Sequence, residues 1–273
     1  MEEPIRVDLS GVSETLLSNL GRRAAAARAK RPLLDDPLAV ETVERLDHDF
    51  TDGSRGASLH ALRVRTFDDA VRRFLGRSPA GTIVALGEGL ETQFWRVDNG
   101  RVDWLTVDLP PVLELRRRLL PEEPRLRSHA GSALDLGWVD EVEPGSPTLS
   151  TAQGLLPYFQ REQVHELIRA MAERLPGSSF VFDVVPARML EVVRGMSGRE
   201  RDQAVELWSW VFDERERSAI ATISGVASLR DLRPPFALGI APLAVCAVRC
   251  VPRKLRYSLP VLPVLEARFA GRT

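Results

Sequence analysis

From residue 82 onward the chain alternates short apolar runs with longer stretches carrying apolar residues every three or four positions. The runs are Thr82–Leu86, Asp103–Leu109, "RLRSHAG", "PTLSTAQGLL" and "SSFVFDVV". The stretches between them, Leu90–Val97, Pro111–Leu120 and Gln163–Leu175, have helical spacing, and "SALDLGWVDEV" reads as a loop with a short helix. Strand and helix in alternation at these lengths predict βαβ units and a mostly parallel, doubly wound sheet. Ahead of it lie three helical patterns: Glu14–Arg31, Pro37 to about Leu46 behind the cap Asp35-Asp36, and Leu59–Leu75. After Pro186 a helical stretch, Met189–Arg217, carries Trp208, Trp210 and Phe212. Late strands are expected in "GVASLRDLRPP" and "SLPVLPVLEARF", and Ala241–Cys250 fits helix or strand equally. The simplest organisation is one domain: a helical cap (1–58), a core (59–185), a lid (186–222) and C-terminal strands (223–273).

Composition narrows this only by exclusion. Of 273 residues, 44% are hydrophobic and 27% charged, with a net charge of −1, so neither nucleic acid nor an anionic membrane is expected as partner. The pattern holds no long apolar run and no signal-peptide signature, which places the expected location in the cytoplasm. Two cysteines, Cys246 and Cys250, are too few for a disulfide scaffold or a zinc site.

In an open α/β sheet, ligands sit beyond the carboxyl ends of the strands. The first strand ends in Gly87-Glu88-Gly89, where backbone can approach a ligand closely. The second ends in Asp108, about 20 residues further on, where a carboxylate can accept both hydroxyls of a ribose. The third is followed by Asp135, within reach of an adenine amino group in one reading and a helix cap in the other. The fourth ends in Gln153-Gly154, then Leu155, Leu156 and Tyr158. Two nucleoside cofactors suit such a site, NAD and S-adenosylmethionine. A dinucleotide turn wants a third small residue, and Thr92 stands at that position, which tilts the choice toward the methyl donor.

These same segments carry a resemblance. "VALGEGLETQFWRVD", "WLTVDLPPVLELRRRLLP", "AGSALDLGWVDEV" and "TAQGLLPYFQREQVHELI" resemble, in order, the motifs of the leucine carboxyl methyltransferase superfamily, nearest its bacterial polyketide-tailoring O-methyltransferases. The resemblance runs from about Val12 to about Val185. It implies a class I, Rossmann-like methyltransferase fold, with a seven-stranded sheet whose last strand is antiparallel, and S-adenosylmethionine as cofactor. Gly87 and Gly89 match the turn under the donor, Asp108 with Leu109 the ribose site, and Asp135 with Leu136 the adenine site. Arg63 matches an arginine on the donor's carboxylate, and Arg23 lies near a second basic position. The chain departs from the family at Glu88, often a small residue or Cys; at Glu91, commonly Asp; at Gln153, commonly an acid; and at Pro157. Glu88 is a candidate replacement for the charge missing at Gln153.

Methyl transfer is a direct displacement in which alignment and exclusion of water carry the rate. A carboxylate acceptor is ionised at neutral pH and needs no base, whereas a phenol benefits from one. His60, close to Arg63, is a candidate base or a structural histidine, and no other histidine is a strong candidate. Tyr158 is the expected acceptor-positioning residue, with Trp208 and Trp210 as walls. The expected partner is a small, polyketide-like acceptor, held by a monomer or homodimer without a metal. Alternatives are an NAD-dependent oxidoreductase and a non-catalytic relative that binds the donor.

Overall fold

A computed structural model describes residues 4–7, 15–50, 56–194, 208–235 and 262–272. Seven strands form one sheet: β1 (Thr82–Leu86), β2 (Asp103–Asp108), β3 (Leu126–Ala130), β4 (Thr148–Ala152), β5 (Ser179–Asp183), β6 (Val226–Leu232) and β7 (Val264–Phe269), in the order β3-β2-β1-β4-β5-β7-β6. β1 to β5 pair in parallel. β7 runs antiparallel to both its neighbours, β5 and β6, so the last strand is the one reversed. The order turns about between β1 and β4, and the carboxyl ends of those two strands flank the switch point.

The central strands are apolar on both sides because helices cover both faces. Ile83, Ala85, Trp104, Leu149 and Val181 face Phe67, Val71 and Phe74 of α3 (Ala57–Leu75) and Phe94 of α4 (Gln93–Val97). Val84, Leu86, Leu105, Val107, Phe180 and Phe182 face Val164, Leu167, Ile168 and Met171 of α6 (Arg161–Arg174). Burying such a side chain stabilises by roughly 1.5–3 kcal/mol, so the alternation along each strand fixes its register.

α1 (Thr15–Ala27) and α2 (Pro37–Glu44) pack their apolar stripes on α5 (Pro110–Leu119) and on Leu90, directly over the turn that follows β1. α2 starts where the sequence places it: Asp36 accepts from the Ala39 N–H at 3.1 Å, and Pro37 takes the first helical position.

Two expectations are corrected. The helix after β1 begins at Gln93, not Leu90, because Gly89 has φ 58° and breaks the helical path. The stretch 189–217 is not one helix. α7 spans Ala187–Arg194, residues 195–207 lie outside the described set, and 208–213 are non-helical before α8 (Glu214–Ala221) starts at its Asp213 cap. Phe212 bridges Pro186, and the N–H groups of Ser209 and Trp210 both donate to the Pro157 carbonyl. Trp210 and Phe212 are core residues packed edge to face at 5.7 Å, so Trp210 is not the acceptor wall expected of it. Ala241–Cys250 falls outside the described residues.

Candidate functional site

The site is built outward from the end of β1. Gly87 and Gly89 both have φ 58°, and a Cβ at Gly87 would meet Leu155 Cδ1 at 2.7 Å, so neither position suits another residue. Asp108, at the end of the neighbouring strand, fixes this turn. Its Oδ2 accepts the Gly89 N–H at 2.7 Å and its Oδ1 the Leu109 N–H at 2.8 Å. Burial pushes the Asp108 carboxyl up from its ordinary value, against those two bonds and Arg116. Each oxygen keeps a second lone pair for a ligand hydroxyl. Beside it Leu109 is 45% exposed, an apolar surface at the rim of the strand ends.

Glu88 turns beneath the turn instead of toward a ligand. Its Oε2 accepts from Thr106 Oγ1 at 2.5 Å and from Trp104 Nε1 at 3.5 Å, and lies 3.1 Å from Arg116 Nη2. Arg116 Nη1 donates to the carbonyls of Gly89 at 2.5 Å and Glu91 at 3.0 Å. A buried ion pair thus holds the turn's backbone from below, and the Glu88 carboxyl is raised by burial in spite of Arg116. Glu88 pairs its charge with Arg116 through Oε2, while its Oε1 is buried with no hydrogen-bond partner among the described residues.

Behind the turn, a second buried network joins cap to core. Arg23 has each nitrogen engaged: Nε on Asp36 at 3.2 Å, Nη2 on the Leu90 carbonyl at 2.5 Å, Nη1 on Glu91 at 3.2 Å. Arg96 pairs with Asp36, Asp68 and Glu91. Thr92 donates to Asp36 at 2.8 Å, which gives the residue found in place of a third glycine a fastening role. Burial alone would raise the Glu91 carboxyl, but Arg23 and Arg96 hold it at about 2.

The ends of β4 and β5 are different in kind. Arg63 Nη1 donates to Asp183 Oδ2 at 2.5 Å, and Asp183 Oδ1 accepts the Gly154 N–H at 2.6 Å. Arg63 Nε is buried without a partner among the described residues. Gln153 Nε2 donates to Gln93 Oε1 at 3.3 Å, while Gln153 Oε1 is buried and unpartnered. His60 Nδ1 lies 3.4 Å from Arg63 Nη2, and its Nε2 is likewise unpartnered. Buried polar atoms without partners are rare in folded proteins. A free N–H on an arginine and a free amide oxygen on the adjoining strand end complement a ligand bearing a carboxylate and an ammonium. Tyr158 Oη pairs with Thr15 Oγ1 at 2.9 Å, which ties the cap to the loop after β4, and burial pushes its phenol up.

The structure therefore gathers Gly87, Glu88, Gly89, Asp108 and Leu109 at one point, and Arg63 and Gln153 at another across the switch. Asp135 and Leu136 follow β3, the strand beyond β2. Asp135 is exposed and accepts the Ser132 N–H at 3.1 Å, and Leu136 takes a left-handed φ of 56°. Arg23 belongs to the fastening network. The sequence reading missed Asp183, Arg116 and Gln93. Asp183 alone had a signal, as the acid closing the apolar run "FVFD". Among the described residues, no cluster of His, Cys, Asp and Glu would hold a metal, and no helix is long and apolar enough to cross a membrane.

Comparisons with known proteins bear on which ligand this is. The family model for leucine carboxyl methyltransferase matches residues 17–172. The tetracenomycin polyketide synthesis O-methyltransferase TcmP of Streptomyces glaucescens is 36% identical over 68% of this chain and 69% of its own length. The S-adenosyl-L-methionine-dependent methyltransferase dpfgK of Gibberella zeae is 31% identical over 63% of this chain and 64% of its own, so the chain spans about two-thirds of these relatives. In fold, it resembles the plantazolicin methyltransferase BamL, solved with a triazolic desmethylPZN analog and SAH (TM-score 0.54, 10% identity, 94% of this chain and 98% of that one). These findings favour a methyl donor over a dinucleotide.

Proposed function

Because the chain belongs to the leucine carboxyl methyltransferase family and is an S-adenosylmethionine-dependent methyltransferase, we propose that it methylates an oxygen of a small, polyketide-like acceptor, a carboxylate in the first instance. The observation that carries the donor's orientation is the pair of unmet valences at the β4 and β5 ends. Arg63 Nε would meet the donor's carboxylate and Gln153 Oε1 its ammonium. Asp108 would take the ribose hydroxyls, with Leu109 against the adenosine and Asp135 and Leu136 at the adenine. When bound, the donor would supply a sulfonium methyl to a nucleophilic oxygen, with the neutral thioether S-adenosylhomocysteine as the leaving group.

The chain's own residues then have to align the acceptor and exclude water. The glycine turn, held by Asp108 above and Arg116 below, fixes the donor side. Tyr158, joined to Thr15 of the cap, positions the acceptor beside it. Tyr158 is a poor base, since burial raises a phenol that already starts near 10. Asp183 is occupied by Arg63 and the Gly154 N–H. A carboxylate acceptor suits this setting, as it arrives ionised; a phenolic or enolic hydroxyl is the second reading. In this proposal the chain works as one cytoplasmic domain with a cap (1–58), core (59–185), lid (186–222) and C-terminal strands (223–273), as monomer or homodimer.

The test is incubation with donor and a panel of aromatic polyketide acids. The expected product gains about 14 Da for one methyl in place of a proton, a conversion the carboxylate makes without a base, and loses it in mild alkali, as an ester does. A base-stable product would point to the hydroxyl reading, and no methylated product with any oxygen acceptor would overturn both.

A further inference from the structure

His60 sits one turn before Arg63 on α3, buried, with no role yet assigned. Arg63 Nη2 is 3.4 Å from its Nδ1. A guanidinium can only donate, so Nδ1 is the acceptor of that contact and the ring proton of the neutral imidazole resides on Nε2. The ring is neutral: burial lowers its pKa well below the ordinary value, and the charges acting on it most strongly, Arg63, Arg23, Arg22 and Arg96, are all positive. The result is a buried N–H with no acceptor among the described residues, in a cationic surrounding. Arg63 itself reaches the carboxyl end of β4, where its Nη1 lies 3.2 Å from the place a Cβ on Gly154 would occupy. Two adjoining side chains thus each carry an unmet buried donor, and one of them, Arg63, reaches the end of the sheet where the methyl donor's amino-acid portion is expected.

We propose that His60 is a second hydrogen-bond donor to the carboxylate of S-adenosylmethionine, through Nε2–H, with Arg63 setting its tautomer. This rests on the donor orientation proposed above. The same tautomer directs the ring's basic lone pair at a permanently protonated guanidinium, so His60 does not serve as the base for an acceptor hydroxyl. Its work is binding.

The experiment is a cycle of calorimetric titrations. Wild type and His60→Phe are each titrated with S-adenosylmethionine and with its decarboxylated analogue, which keeps every other group. A hydrogen bond to a charged partner is worth about 1.5–3 kcal/mol, so His60→Phe should weaken the carboxylated ligand roughly 10- to 100-fold while leaving the decarboxylated one within about two-fold. His60→Gln, which retains an N–H donor, should recover part of the preference and guards against a folding defect in the Phe variant. A variant that weakens both ligands equally, as a purely structural histidine would, overturns the proposal, and so does an unchanged preference. Wild type binding both ligands equally would instead overturn the donor orientation itself, and with it this inference.

Discussion

The two sides of the switch point are built in different ways. On the β2 side, Asp108 bonds to the turn from above and Glu88, Thr106 and Arg116 bond beneath it, with Glu88 Oε1 and Arg116 Nη2 left without a hydrogen-bond partner among the described residues. On the β4 side, His60, Arg63 and Gln153 each leave a buried polar atom unmatched. The first side is a charge-paired support for the glycine turn that offers lone pairs and a shape. The second leaves donors and an acceptor that, in the proposed reading, a ligand with a carboxylate and an ammonium would meet. Substitutions on the β2 side should therefore register first in stability, and those on the β4 side first in donor affinity.

The largest expected effect tests the β2 side. Arg116→Met leaves the Glu88 carboxylate buried without its counter-ion and removes the donor from two turn carbonyls. Breaking one partner of a buried pair costs about 3–5 kcal/mol. Denaturant unfolding should show that loss, and Glu88→Gln in the same chain should return part of it. A loss of donor affinity without a loss of stability would break the comparison.

The fastening network behind the turn is next. Glu91 is held at about 2 against an ordinary 4.5. A carboxyl depressed in the folded state contributes stability that is complete above the unfolded value and is lost as pH falls through the folded one. Glu91→Gln should thus destabilise by on the order of 3 kcal/mol at pH 7, and the gap to wild type should close between about 4.5 and about 2. Unfolding curves measured across that window check it; a gap independent of pH would show that Glu91's charge is not what matters.

Asp108→Asn should have a mixed outcome, because Asp108 serves both turn and ligand. A hydrogen bond made by a charged group is worth about 1.5–3 kcal/mol, so donor affinity should fall roughly 10- to 100-fold by calorimetry, with a smaller change in melting temperature. The smallest effect belongs to the β4 side. Gln153→Glu restores a carboxylate where Oε1 now lacks a partner. The exchange trades the bond to Gln93 for a charge on the ammonium, so affinity should rise only a few-fold, within about 1.4 kcal/mol. A fall in affinity would place the ammonium elsewhere.

Much of this was legible in the sequence, for reasons that differ between the two sides. The strands are apolar runs with glycine and acid at their ends, so β1 to β5 and the residues Gly87, Gly89 and Asp108 follow from local pattern. Gln153 showed as the end of the fourth strand, whereas Arg63 came from the family resemblance, since nothing local says that an arginine on α3 reaches the end of β4. Asp183 and Arg116 were not legible as partners, because ion pairs between distant elements leave no periodicity. Glu88 showed as an oddity, but its direction depended on Thr106 and Trp104 across the strand pair. The segment after Pro186 misled because apolar spacing is shared by a helix and by an extended strap whose backbone is held at Pro157.

The central claim is that the unmatched atoms beside β4 and β5 hold the amino-acid end of the donor. Calorimetric titration with S-adenosylhomocysteine and with 5′-methylthioadenosine, which keeps the adenosine but lacks that end, tests it directly. The account predicts at least about 100-fold weaker binding of the truncated ligand, from the loss of two charge-assisted contacts, and a gap that largely closes in Arg63→Met. Equal binding of the two ligands by the wild-type chain would contradict it.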